Sequence, residues 1–555
     1  MARISTKISY KALFWLLFYI FLFCLLIRNG SNYLDPDLGW HLKVGQEISW
    51  TGQMPSSNHY NYTFTGEWVD HEWLSNFLLF QAYDRFGYPT VVIIFAVIFV
   101  GILAGLTWLI KKRYPEVPDF TIIGLQLIGT VAALPHAGVR VQELSWLFLF
   151  LLLIIIDRYN IKKKWPVLLF LLPLMYVWAC MHGSFLIGFF LLIAWPGIKL
   201  MEKLIRRYRP RWPIATDPWP IRRLLIIGVF IGLVILGTLL TPYYLDLYAF
   251  LGGYTNTAYL GKIQEWLSQF FFPFNYWQLA YLAIASLALI IYLYERLYQR
   301  RGSVDLWRLF LLLLFIGLSF KSRRHFPLMF VATLPFLAVI YAEIFSSLGG
   351  RRPGSAELEG QAEKAIGSIR RWTQLGHWLK INWLHLYIVL CLTLAILWQA
   401  VNISLPRDPF KSFCRDYPCG AYDFLSAHAE YKAAPIFNNY GWGGYFIWLM
   451  PDKKLFIDGR LPQVEYEGRT FLEEYLDFYE SDGLIKDRLD KYHIRLVLIP
   501  TSETVILAKK WEQLLFSLPA RPLNQTNHLR EYLLSSLDWS PIYYDRSATI
   551  FYRNE

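Results

Sequence analysis

The stretch PTVVIIFAVIFVGILAGLTWLIKKR, residues 89–113, decides the fold. It runs from Pro89 to Ile110 without a charge and then stops on Lys111, Lys112 and Arg113. Crossing the hydrocarbon core of a bilayer takes ~20 apolar residues, and cations at the end of such a run anchor it at the surface. Comparable runs lie near 12–28, 120–136, 143–158, 166–181, 184–203, 222–241, 276–294, 307–320, 326–345 and 383–403. They predict a polytopic α-helical membrane protein with about eleven spans. Composition agrees: 55% of the 555 residues are hydrophobic and 17% charged, against an apolar share of ~45–50% in soluble domains. The first run follows Arg3, Lys7 and Lys11 in the manner of a signal peptide, but no small-x-small cleavage site comes after it. It is therefore read as a retained helix.

The net charge of +12 reports topology rather than nucleic-acid binding, because the cations cluster between apolar runs and no basic-aromatic domain stands apart from them. One set of loops holds Lys111 to Arg113, Arg158 with Lys162 to Lys164, Arg206 to Arg211, Arg222 with Arg223, Arg296 to Arg301, and Arg351 with Arg352. The positive-inside rule places these loops and the N-terminus in the cytoplasm. An odd number of spans then puts the C-terminal part outside the cytoplasm, on the plasma or inner membrane. Residues 1–404 are read as the transmembrane domain, with a first external loop at 29–88, and residues 405–555 as an extracytoplasmic α/β domain. In the latter, KLFIDGR, IRLVLIP and ATIFYR read as strands, and Arg469 to Tyr479 and Ser502 to Leu515 as helices. The segment from Gly349 to Gly367 reads as a linker. Cys414 and Cys419 suit a disulfide closing a tight loop on an oxidising side. Cys24, Cys180 and Cys391, in apolar runs, read as core residues.

The first external loop gathers Asp35, Asp37, His41, Glu47, Asp70, His71 and Glu72. An aspartate at the start of a helix stabilises the unpaired amides there, and Asp35 or Asp37 fits that role. The crowding exceeds what one cap requires. The sequence DPDLGWHL followed by ISWTGQMP resembles the first-loop signature of the GT-C superfamily of polyprenyl-phosphate-sugar glycosyltransferases, above all oligosaccharyltransferase catalytic subunits. Protein O-mannosyltransferases and lipid A aminoarabinose transferases carry a comparable acid. In the oligosaccharyltransferases an acid is followed four positions later by His or Asn, and Asp37 and His41 take those positions here.

The resemblance implies a GT-C-like fold and an inverting transfer from a polyprenyl-linked sugar donor to a protein, lipid or glycan acceptor. A carboxylate would orient or deprotonate the acceptor. Asp37 is the first candidate for it and Asp35 the second. The departing phosphate needs positive charge, for which Arg324 and Arg323 in SFKSRRHFP, and Arg140, are candidates through guanidinium geometry. A divalent metal, Mg or Mn, is the cofactor the resemblance allows, with His41, Glu143, His136 and His182 as ligands. The loop ALPHAGVRVQE lacks the acidic ligands that oligosaccharyltransferases carry at this place. Tyr440, Trp442 and Tyr445 in NNYGWGGYFIW, with Glu265, are the acceptor-side candidates. The Trp-Trp-Asp of peptide-reading relatives is missing, so peptide-sequon recognition is not expected. Asp458 and Arg460 in IDGRLPQVEY fit either a ligand contact or an internal ion pair.

Two other classes stand beside the enzyme. A transporter or lipid flippase would place acids within spans near the midplane, and the spans here are nearly free of them. A non-catalytic envelope assembly protein would need one anchoring span rather than about eleven.

Overall fold

The computed structural model describes residues 10–215, 219–253, 258–261, 263–348, 387–466, 468–502, 507–516, 518–519 and 527–554. The expected linker at 349–367 lies outside them. The helices in chain order are α1 (Tyr10–Asn32), α2 (Leu38–Thr51), α3 (Trp73–Phe86), α4 (Tyr88–Arg113), α5 (Asp119–Ala133), α6 (Gln142–Lys162) and α7 (Leu171–Met181). They continue with α8 (Phe185–Tyr208), α9 (Ile221–Thr238), α10 (Asp246–Gly253), α11 (Tyr276–Leu293), α12 (Leu306–Lys321) and α13 (Phe326–Leu348), and with α14, Tyr387–Val401.

Seven of the described helices are long and apolar enough to cross a membrane, and the chain is an integral membrane protein. The expectation of about eleven spans meets helix at every predicted stretch. However, α5 and α12 have 15 and 16 residues, and α7 has 11 after a 3-10 segment, Trp165–Phe170. Helices this short fall below the length that spans unaided at 1.5 Å per residue.

Gly87, at φ 79°, separates α3 from α4, so α3 is a distinct helix that packs on α2. The approach is close: a Cβ on Gly45 of α2 would stand 2.0 Å from the Asn76 carbonyl oxygen.

The C-terminal region holds α15 (Cys419–Ala427), α16 (Ala429–Ala433), β1 (Ile436–Asn438), α17 (Gly443–Leu449), β2 (Glu465–Tyr466), β3 (Arg469–Thr470), α18 (Phe471–Asp477), α19 (Asp482–Lys491), β4 (Leu496–Pro500), α20 (Lys510–Phe516), α21 (His528–Ser535), β5 (Trp539–Tyr544) and β6 (Ala548–Arg553). Four strands form one sheet in the order β1-β4-β6-β5, with β1 parallel to β4 and the other pairs antiparallel. One face, with Ile436, Leu496, Leu498 and Ile550, joins the apolar core shared with the membrane helices. The other, with Phe437, Val497, Ile499 and Phe551, packs against Phe471, Ile485, Leu489 and Leu529.

IRLVLIP and ATIFYR are strands as expected. KLFIDGR is not: Leu455 makes only an isolated bridge to Asn61, because the segment is held by the first loop instead of by the sheet. The helix expected over Arg469 to Tyr479 begins at Phe471 behind a capping box of Thr470 and Glu473. Of Ser502 to Leu515, helix is described from Lys510.

Candidate functional site

Asp37 stands in the position before α2, where an aspartate ordinarily caps through its side chain. Here it makes no capping bond. Trp40 Nε1 donates to its Oδ1 at 2.9 Å instead. Asp35 fastens the turn, its Oδ1 accepting from the Asp37 amide at 2.9 Å. The Asp35 Oδ2 stands 2.5 Å from Arg140 Nε. Arg140 in turn meets Glu265 Oε1 at 2.5 Å and donates to the Tyr33 hydroxyl at 2.9 Å. Glu265 Oε2 lies 3.8 Å from Arg324 Nη1, and the Arg324 guanidinium rests over Trp266 at 4.9 Å. Four segments distant in sequence therefore converge at one end of the helix bundle.

A second group adjoins it. Glu72 Oε1 lies 3.4 Å from His182 Nε2 and 3.6 Å from His71 Nε2, and Oε2 lies 4.0 Å from His41 Nδ1. Asn76 donates to both Asp70 oxygens at 3.0 and 2.8 Å and faces His41 Nδ1 through its own Oδ1 at 2.5 Å. With the Asn76 oxygen as acceptor, His41 carries its proton on Nδ1. The His41 ring lies against Trp40, with centroids 3.7 Å apart. Asp70 is thus linked through Asn76, His41 and Trp40 to the Asp37 carboxylate.

Burial sets the electrostatics. It pushes the Asp37 carboxyl up to about 7, with the Asp35 charge adding to the rise and the Trp40 bond opposing it. Burial likewise brings Asp70 to about 7 and Glu72 well above the carboxylate range, helped by Asp70. His41 and His71 fall to about 4 and about 3, and His182 falls well below its ordinary value. Burial alone would raise Glu265, but the Arg140 and Arg324 guanidiniums pull it down to about 2.

The C-terminal region closes over this site through glycines. A Cβ on Gly459 would stand 2.0 Å from Asp37 Oδ1, one on Gly444 2.2 Å from the Pro36 carbonyl oxygen, and one on Gly39 2.0 Å from the Gly444 carbonyl oxygen. Only glycine permits backbones this near. Tyr445 is buried and stacks on Tyr417 with centroids 5.4 Å apart. The Tyr417 hydroxyl donates to the Leu34 carbonyl at 2.9 Å. Trp442 Nε1 donates to the Asp416 carbonyl at 3.2 Å, inside the segment closed by the Cys414–Cys419 disulfide. The close backbone approach that NNYGWGGYFIW signals is to the first loop, and Trp442 and Tyr445 support it from behind. Tyr440 is half-buried, with its ring 6.4 Å from that of Tyr475.

The other expected residues divide. Arg324 joins the chain of charges. Arg323 turns away, donating from Nε to the Ser268 carbonyl at 3.3 Å and from Nη2 to that of Phe271. Glu265, expected on the acceptor side, is occupied by the two arginines. The expected metal set is not gathered: His41 and His182 face Glu72, whereas Glu143 accepts from the Gly138 amide at 3.0 Å. Among the described residues, no hydrogen bond or ion pair ties Glu143 or His136 to the histidines around Glu72. Nor do any three His, Cys, Asp or Glu among the described residues form a group that could hold a metal ion. Magnesium takes an octahedral shell of oxygens, and the imidazoles around one carboxyl do not fit it. Asp458 and Arg460 form an internal pair, at 2.8 Å. Tyr33, Asn76, Tyr417 and Gly459 escaped the sequence reading, while the signal for Glu72 was present in the crowded Asp70-His71-Glu72.

Fold and site together define an integral membrane protein whose helical bundle carries a C-terminal α/β region over an acidic first loop. The same fold occurs in the oligosaccharyltransferase of Archaeoglobus fulgidus. Its apo crystal structure matches with a TM-score of 0.50 at 11% identity, over 89% of this chain and 70% of that one. The archaeal oligosaccharyltransferase AglB from the same organism, in complex with an inhibitory peptide and a dolichol-phosphate, matches with a TM-score of 0.51 at 11% identity, over 89% and 69%. ArnT from Cupriavidus metallidurans, bound to undecaprenyl phosphate, aligns over 99% and 98% at 12% identity, with a TM-score of 0.43. The resemblance to oligosaccharyltransferase catalytic subunits holds at the level of the fold. Neither a family model nor a curated protein's sequence matches the chain.

Proposed function

We propose that the protein is a glycosyltransferase that moves a sugar or glycan from a polyprenyl-phosphate-linked donor to an acceptor on the extracytoplasmic face, with Asp37 as the catalytic base. The observation that carries the reading is the environment of Asp37. One carboxylate oxygen is held by Trp40, and the group titrates near neutrality, where a base both exists in its active form and still takes a proton readily. Asp35 is committed to Arg140 and keeps that cation in place. In an inverting transfer the Asp37 carboxylate accepts the acceptor's proton as the nucleophile attacks the anomeric carbon and the carrier phosphate departs.

Positive charge for the leaving phosphate falls to Arg324. Arg140 is consumed by three partners and Arg323 by backbone carbonyls, whereas the Arg324 side chain is one-third exposed and only loosely paired. Transfer should therefore be retained in EDTA, and loss in EDTA restored by Mn would take the role from Arg324. The main test is transfer from labelled polyprenyl-linked sugars by purified protein. Asp37→Ala and Asp37→Asn are expected to lose activity, and full activity in both would remove Asp37 from the role.

A further inference from the structure

Helix α20, KWEQLLF, has its polarity inverted. Glu512 is 4% exposed, while Leu514 and Leu515 are 87% and 69% exposed. The Glu512 carboxylate accepts from the Lys509 amide, and Gln513 donates to the Ala508 carbonyl at 2.7 Å, so the polar groups are spent inside. Trp511, Leu514 and Leu515 fall at i, i+3 and i+4, on one face. Leu507 adds to the exposed apolar surface. In water this arrangement is unfavourable, because leucines are left wet while a carboxylate is desolvated.

The neighbours say what covers the face. The Trp511 ring meets Tyr276 at 5.2 Å and that of Phe516 meets Phe274 at 4.5 Å. Tyr276 is the first residue of a helix long and apolar enough to span. The patch is therefore at the level where the bilayer begins, and Phe270, Phe271 and Trp277 continue it as exposed aromatics. Lys509 and Lys510, both exposed, stand at headgroup height, where cations attract anionic lipid.

We propose that residues 507–516 dip their apolar face into the bilayer leaflet on the side of the C-terminal sheet, giving that region a membrane contact of its own beyond its covalent tether. The partner is a lipid surface. The contact rests on the α20 packing alone and stands whether or not the chain transfers sugar.

The test uses the full chain, one copy per nanodisc, with Cys24, Cys180 and Cys391 replaced and the native disulfide kept. An environment-sensitive fluorophore is placed through Leu514→Cys and, separately, Leu537→Cys, a site 95% exposed in the same region. The probe at 514 is expected to emit at shorter wavelength and to be quenched several-fold more by quencher-bearing lipids than the probe at 537. Equal, water-like behaviour at both sites would overturn the proposal. So would a probe at 514 shielded from aqueous quencher yet untouched by the lipid-borne one, since that places protein over the patch.

Discussion

Replacing Arg460 with alanine should loosen the first loop from the C-terminal region more than any other single change there. The guanidinium is 4% exposed and its partner Asp458 fully buried. Arg460 Nε and Nη2 donate to the two Asp458 oxygens at 2.9 and 2.8 Å. The same Nη2 donates to Asn58 Oδ1 at 3.0 Å and Asn61 Oδ1 at 3.2 Å, and the cation lies 4.7 and 4.9 Å from the Tyr60 and Trp68 rings. Removing it strands a buried carboxylate at a cost of about 3–5 kcal/mol, with about 1 kcal/mol more from the ring faces. At about 4–6 kcal/mol in all, a cooperative unit of roughly 150–250 residues loses about 8–24 °C of thermal midpoint. The double substitution Asp458→Asn with Arg460→Met removes both charges and should cost far less than the two singles summed. Thermal unfolding followed by intrinsic fluorescence in detergent reads the wild type, Arg460→Ala, the singles Asp458→Asn and Arg460→Met, and the double variant. A loss below about 3 °C in Arg460→Ala, or strictly additive singles, would refute the reasoning.

The remaining expectations concern the site. With its carboxyl near 7, Asp37 must lose its proton to act, so transfer should rise about tenfold from pH 6 to pH 8. Asp35→Asn removes a charge that raises Asp37, so the midpoint of that profile should move to lower pH, and an unmoved or higher midpoint would break the coupling. Gly459→Ala places a methyl 2.0 Å from Asp37 Oδ1 and should cut transfer about a hundredfold in protein that still expresses, as misplacement of a reacting group does. Cys414→Ser with Cys419→Ser opens a loop of sequence separation 5. It should lower stability by about 2 kcal/mol, read as a reducing-agent-insensitive shift in unfolding.

The membrane fold was legible because a ~20-residue apolar run has few other meanings. The span count was less so, since α5, α7 and α12 are apolar but short, and apolarity alone does not reveal length in three dimensions. The acidic cluster was legible as crowding. Its internal division was not: His41, placed beside Asp37 by spacing, stacks on Trp40 and reaches Asn76, and only the fold tells which side of the ring is engaged. Least legible was the clasp between the first loop and the C-terminal region. Gly39, Gly444 and Gly459 leave no periodic signal, and a glycine meeting a backbone hundreds of residues away reads in sequence as a turn.

The charge inventory explains why this site suits transfer better than transport. Five carboxyl groups, Asp35, Asp37, Asp70, Glu72 and Glu265, face two guanidiniums, Arg140 and Arg324, because the nearby histidines are held neutral by burial. Such an excess cannot stay fully ionised in a buried cluster, and the protons settle where burial and a neighbouring carboxylate weigh most. Glu265, between both cations, gives up its proton most easily, and Glu72 holds one most firmly. Asp37 sits between these extremes, the one group beside both the ion-paired Asp35 and the hydrogen-bonded Trp40. A transporter needs its proton-carrying acid reachable from both sides of the membrane in turn. Asp37 is instead pinned at one end of the bundle, its Oδ1 close under Gly459 and held by Trp40.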